Sequence, residues 1–93
     1  MQTSAPIIYG QVGTIGATQK QMTTNSSPLN TGVRVKALAA NSTDKVYIGL
    51  TGVTTSTGYE LVASAEVLIP CRDASTLYVI GTGTTSAVSF IGS

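Results

Sequence analysis

Four carboxylates and one thiol, with no histidine beside them, are the chain's main equipment for acid–base or nucleophilic chemistry. General acid–base catalysis draws on a histidine or on a pair of carboxylates with separated pKa values, so the four acids must supply any such pair. Asp44 closes the turn Ala40-Asn41-Ser42-Thr43-Asp44, and Asp73 sits in the turn Cys71-Arg72-Asp73-Ala74-Ser75. Glu66 opens an apolar run and faces outward if Val67 and Ile69 face inward. Glu60, beside Tyr59, is the one acid in an aromatic setting, and it reads as a solvated loop residue. A glycosidase-type pair is not expected among them. Cys71 has no histidine to activate it. Arg72 beside it would lower its pKa slightly, but a lone cysteine is most simply a small buried group.

Other chemistries are equally thin. One thiol and no histidine make a zinc site unsupported. Thr51-Gly52 and Gly81-Thr82-Gly83 lack the glycine and lysine spacing of a phosphate loop, and no helix follows either of them. The expectation is a protein that is not an enzyme and carries no cofactor or metal. Five Lys/Arg against four Asp/Glu give a net charge of +1, without the clustered cations that nucleic-acid binding needs. Arg34, Lys36 and Tyr47 could form a small patch, which reads as a solvated face, so no nucleic-acid partner is expected. No run approaches the roughly 18 apolar residues of a spanning helix. Met1 to Thr18 lacks the basic start and apolar core of a secretory leader. No membrane role is expected. A single unpaired cysteine suits synthesis in the cytoplasm.

The elements that would position these groups are strands. Val, Ile, Thr, Tyr and Gly dominate, and these are strand and turn residues. Val33-Arg34-Val35-Lys36-Ala37 alternates, with the apolar residues inward and the cations outward. Lys45 to Leu50 returns as a second strand, so the two runs read as a β-hairpin with a loop of about five residues. Thr51 to Gly58 reads as loop or a short strand. Glu66 to Ile69, Thr76 to Ile80 and Ala87 to Ile91 complete the set. Short strands separated by turn signals predict an all-β protein: a single small antiparallel β-sandwich or barrel with an extended N-terminal arm.

Residues 1–30 form that arm and its loop, and residues 31–93 the β domain. The arm is poor in large apolar residues and is expected to pack on the body or on a neighbour. Within the body, Tyr47-Ile48-Gly49-Leu50-Thr51-Gly52-Val53-Thr54-Thr55-Ser56 is echoed by Tyr78-Val79-Ile80-Gly81-Thr82-Gly83-Thr84-Thr85-Ser86. Such hairpin vocabulary recurs by convergence more readily than by duplication. In Leu77-Tyr78-Val79-Ile80 neither face is polar, as in a strand covered on both sides. The second cover is either the arm or a neighbouring subunit. Contact with protein is therefore expected at Ile7, Ile8 and Tyr9 of the arm and at Tyr78 and Ile80.

Charged residues make up 10% of the chain, against about 25% in an ordinary soluble domain. Ser and Thr fill the gap with 25 residues. A domain this small has a thin core, and one cysteine leaves no internal disulfide to brace it. Association with copies of itself or with a larger partner is the remaining brace.

From Val33 to Ser93 the chain resembles small β proteins of tailed bacteriophages. The resemblance rests on Gly32-Val33-Arg34-Val35-Lys36-Ala37-Leu38-Ala39, then Val46-Tyr47-Ile48-Gly49, then Val53-Thr54-Thr55-Ser56-Thr57-Gly58-Tyr59-Glu60-Leu61. It continues in Glu66-Val67, Leu77-Tyr78-Val79-Ile80-Gly81 and Val88-Ser89-Phe90-Ile91-Gly92. Positions 62–65 depart from it, reading Val-Ala-Ser-Ala where a Pro/Gly turn would stand. The resemblance implies a virion structural protein, with a cement or decoration protein on the capsid surface as its most natural form. The major capsid protein would then be its partner, beside copies of itself. The alternative is a tail, fibre or spike module that binds a host surface, where Tyr59 with Glu60 is the best candidate for a glycan contact.

Overall fold

The structure is a computed structural model that describes residues 7–24 and 29–93. It is all-β, as the composition predicts. The strands are β1 (Ile8–Ile15), β2 (Lys20–Gln21), β3 (Val33–Ala37), β4 (Val46–Gly49), β5 (Tyr59–Leu61), β6 (Glu66–Ile69), β7 (Tyr78–Gly81) and β8 (Ser86–Gly92). Two single 3-10 turns, at Ala39–Asn41 and Ala74–Thr76, are the only helical pieces among the described residues.

The strands form two antiparallel sheets in the orders β1-β8-β3-β6 and β2-β7-β4-β5. First pairs with last, second with seventh, third with sixth and fourth with fifth. That nesting is a jelly roll, an eight-stranded double sheet made of Greek keys. It overturns the expected hairpin, because β3 and β4 lie in different sheets and never pair. Both runs alternate as expected. Alternation states which face is buried, however, and is silent on which strand lies alongside.

The core lies between the sheets. On the first sheet the inward rows are Ile8–Gly92–Val33–Ile69, Gly10–Phe90–Val35–Val67 and Val12–Val88–Ala37. The Phe90 ring covers Gly10, where a Cβ would lie 3.1 Å from Cζ. On the second sheet Val46, Ile48, Leu61 and Val79 face them, all at most 4% exposed. Ser86 also lies in this interior at 1% exposure, and its hydroxyl finds no hydrogen-bond partner among the described residues. An unsatisfied buried hydroxyl costs free energy that a methyl group would not. Ser86→Ala is therefore expected to stabilise the fold by about 1 kcal/mol, raising Tm by roughly 5 °C in a thermal melt.

Within the expected arm, residues 8–21 pack on the body, as one of the two expected placements had it. β1 is an edge strand of the first sheet and β2 of the second, and Val12, Ile15 and Met22 join the core. Val12 and Ile15 are three residues apart, a spacing that places them on opposite faces of a regular strand. The register slips by one residue between them, so both point inward. Thr14 occupies this bulge at a φ of 51°, and Lys20 Nζ donates to the Gly13 carbonyl at 2.7 Å. Of the expected arm, residues 1–6 and 25–28 lie outside the described residues.

The two echoed segments are neighbours. Tyr47, Ile48 and Gly49 pair antiparallel with Ile80, Val79 and Tyr78. Each tyrosine thus sits one residue from the central Ile48–Val79 pair, and a local two-fold relates the copies. Their continuations differ, since β4 runs on to β5 in its own sheet and β7 crosses to β8 in the other. The segments are equivalent strands with unlike connections.

Candidate functional site

The four acids do not converge into a reactive pair. Glu66 lies on the outer face of the first sheet, with Arg34 Nη1 3.1 Å from its Oε1. Glu60 lies on the outer face of the second sheet, where it accepts from the Tyr47 hydroxyl at 3.3 Å and faces Lys45 Nζ at 3.7 Å. Asp73 caps a 3-10 turn by accepting from the Ser75 N–H. Asp44 lies against Gly83. Among the described residues, no group of three or more His, Cys, Asp or Glu side chains is placed to hold a metal ion. No described helix is long and apolar enough to cross a membrane.

Cys71 is half-buried beside the core. Burial pushes its thiol above the ordinary value. The backbone N–H of Asp73 acts against that rise, the Asp73 charge adds to it, and the Val33 N–H opposes it. The expected lowering by Arg72 is therefore reversed by burial, and the thiol is held in its less nucleophilic form.

The expected basic patch also separates. Arg34 and Lys36 share the outer face of the first sheet, and Tyr47 belongs to the second. Tyr59 and Glu60, the candidate glycan contact, are consecutive in β5 and point to opposite faces.

The residues expected to meet other protein fall into two places. Ile7 and Tyr9 are exposed, at 65% and 79%, along the first sheet. Ile8, between them, faces inward and packs against the core. Tyr78 and Ile80 lie on the outer face of the second sheet. Ile80 is buried there and Tyr78 is half-buried. The loop of residues 50–58 folds back over this face. A Cβ on Gly49 would lie 2.7 Å from Val53 Cγ2, and one on Gly58 2.6 Å from Tyr47 Cβ. The Gly52 N–H donates to Gln19 Oε1 at 2.7 Å, tying the loop to the segment before β2. The apolar outer side of β7 is thus largely covered within the single chain.

Among the described residues, two apolar surfaces remain open. The first is a cross-strand row, Tyr9–Ile91–Arg34–Leu68, spanning all four strands of the first sheet on its outer face. Ile7 extends it along a groove shared with Leu68 and Ile91. The next row, Gln11–Ser89–Lys36–Glu66, is polar, so the face is apolar at one end only. The second surface is a groove of about 340 Å³ at the open edge between the sheets, lined by Leu50, Tyr59, Val67, Ile69 and Pro70 among others. The β1 end of the first surface is visible in the sequence as the run Ile7-Ile8-Tyr9. Ile91 and Leu68 are not, because their partners in the row are fixed by long-range pairing. No family model, curated protein or solved structure matches this chain.

Proposed function

We propose that this chain is a structural protein of a tailed-phage virion, a cement or decoration protein that binds the major capsid protein on the outer surface of the shell. The observation that carries the reading is the exposed row of Tyr9, Ile91 and Leu68 with Ile7 beside it, on the outer face of the first sheet. At roughly 200 Å² per large side chain, their exposures leave an apolar patch of roughly 500 Å². That is at the upper end for a monomer surface, about 300–600 Å², and below the ~800 Å² per partner of a stable pairwise interface. A contact of this size is weak singly and becomes firm when many copies bind a repeating shell. Jelly rolls recur in viral capsid and lectin domains, which supports the class by analogy alone. The same analogy keeps a tail or spike module as the second reading. Hundreds of copies per virion favour the shell, and a few dozen favour the tail.

Binding to stripped capsids tests the proposal. Tyr9→Lys combined with Ile91→Lys is expected to weaken binding at least tenfold while the fold survives, because both residues face solvent. Undiminished binding by the folded double variant would sink this reading. Deleting the chain through Gly16 is a poor test, since it removes β1 and the core residues Val12 and Ile15.

A further inference from the structure

We infer that the β6 edge is a self-association site, at which β6 of a second copy adds antiparallel to β6 of the first. This does not rest on the capsid reading: it uses the backbone edge of β6 and the groove beside it, and shares only Leu68 with the outer-face row.

An open sheet edge offers unpaired backbone groups to another chain, and proteins ordinarily blunt such edges. Among the described residues, three of the four sheet edges are blunted. β1 carries the bulge at Gly13–Thr14, with Lys20 bonded across it. β2 has two residues. β5 has three, with the Lys45–Glu60 ion pair on it. β6 has four residues, Glu66–Ile69, with no lysine, proline or bulge among them, and Arg34 engages its one charge.

The side chains at this edge are under-buried for the direction they face. Tyr59 pairs with Ile48, so it points inward, and yet it is 62% exposed. Val67 and Ile69 pair with the fully buried Val35 and Val33, and yet both are half-buried. These residues line the open groove together with Leu50, which is 64% exposed. An added strand would satisfy the β6 backbone and send alternate side chains into this groove. The occupant therefore needs apolar residues at alternate positions and little charge. β6 itself has them in Val67 and Ile69, and a net charge of +1 raises little repulsion between copies.

The face rule selects the register. Residues that pair across an antiparallel ladder share a face, and Leu68 set opposite Leu68 of the second copy puts Val67 opposite Ile69 in both directions. Every pair between Val67 and Ile69 is then apolar, with Glu66 at the end beside Pro70. Exposed side-chain area at the edge is small by the standard of permanent dimers, so the association is expected in the micromolar range.

Sedimentation across concentration, together with a cross-linking variant, tests this. The wild type is expected to shift from monomer to dimer by about 100 µM, where a micromolar interface is saturated. Leu68→Lys should weaken the dimer at least tenfold, and Tyr9→Lys should leave it unchanged. In a Cys71→Ser background, Leu68→Cys should cross-link to a covalent dimer under mild oxidation, because the two positions face each other across the axis. A wild type that stays monomeric at that concentration overturns the proposal. So does a dimer lost through Tyr9→Lys and kept in Leu68→Lys, which would place the interface at the β1 end of the outer face instead. Loss of capsid binding by the Tyr9 and Ile91 variants with the dimer intact would separate this inference from the proposed function.

Discussion

Replacing Gly32 by alanine is expected to cost about 4 kcal/mol, combining backbone strain of roughly 1–3 kcal/mol with overpacking of similar size. Gly32 leads into β3 at a φ of 134°, a conformation that L side chains rarely adopt. A Cβ there would run into the Ile69 carbonyl oxygen and lie 2.8 Å from Pro70 Cα. These are backbone atoms of the neighbouring strand, so no rotamer change relieves the clash. Gly32 is also tied to the chain's end. Its N–H donates to the Ser93 carbonyl at 3.2 Å, and its own carbonyl accepts from the Ser93 N–H at 3.1 Å. Relief of the clash would disturb β3 where β6 and β8 both pair with it. Small domains have only about 5–15 kcal/mol in hand, so a thermal or urea melt should show a large loss. Two other glycines separate the causes. Gly52, at a φ of 92° with open space around it, isolates backbone strain, and Gly52→Ala should cost about 1–2 kcal/mol. Gly13 has no positive φ and nothing near its Cβ position, and Gly13→Ala should change stability by no more than about 0.5 kcal/mol. Equal costs at all three positions would refute the ordering.

Gly32 also marks how far the sequence can be read. The all-β class was legible in composition, β3 and β4 as alternating runs, because burial of one face imposes a period of two, and β6 and β8 as short apolar runs between turn signals. Partners were not legible. Apart from β4 with β5, every pairing here joins strands that are not consecutive in the chain, and no local pattern encodes which. The hairpin assigned to β3 and β4 failed for that reason. β1 is hidden in a stretch poor in large apolar residues and interrupted by Gly10, Gly13 and Gly16, and the bulge at Gly13–Thr14 is what gives Val12 and Ile15 a common face. The open edge was hidden as well. Tyr59 reads from sequence as a loop aromatic, and its inward direction follows only from its pairing with Ile48. Tyr9, by contrast, stands in the apolar run Ile7-Ile8-Tyr9 that sequence alone displays, and the structure leaves it exposed.

Asn41 carries the second large effect. Asn41→Ala is expected to cost about 3 kcal/mol, within the range for stranding buried hydrogen-bonding groups. The residue lies in a segment that reads as an ordinary turn, yet it is 6% exposed. Its Nδ2 donates to the Ala87 carbonyl at 2.9 Å, and its Oδ1 accepts from the Ala87 N–H at 2.9 Å. β3 has ended by this point, at Ala37, and the chain is crossing to the other sheet. The Asn41 amide therefore stands in for one more rung beside β8. Without it the Ala87 carbonyl keeps the Leu38 N–H at 3.1 Å, but the Ala87 N–H loses the acceptor it has here. Aspartate at this position gives the sharper test. It retains an acceptor for the Ala87 N–H and sets its second oxygen against the Ala87 carbonyl, where only a protonated carboxyl can donate. Burial and the facing carbonyl would raise the pKa of that carboxyl above its unfolded value. Its stabilisation would then be fully present below the unfolded pKa and lost as pH rises through the folded one. Asn41→Asp should accordingly approach wild-type stability in acid and fall toward Asn41→Ala at neutral pH. A flat difference between the two variants across that range would mean that the side chain fills space and does not complete the ladder.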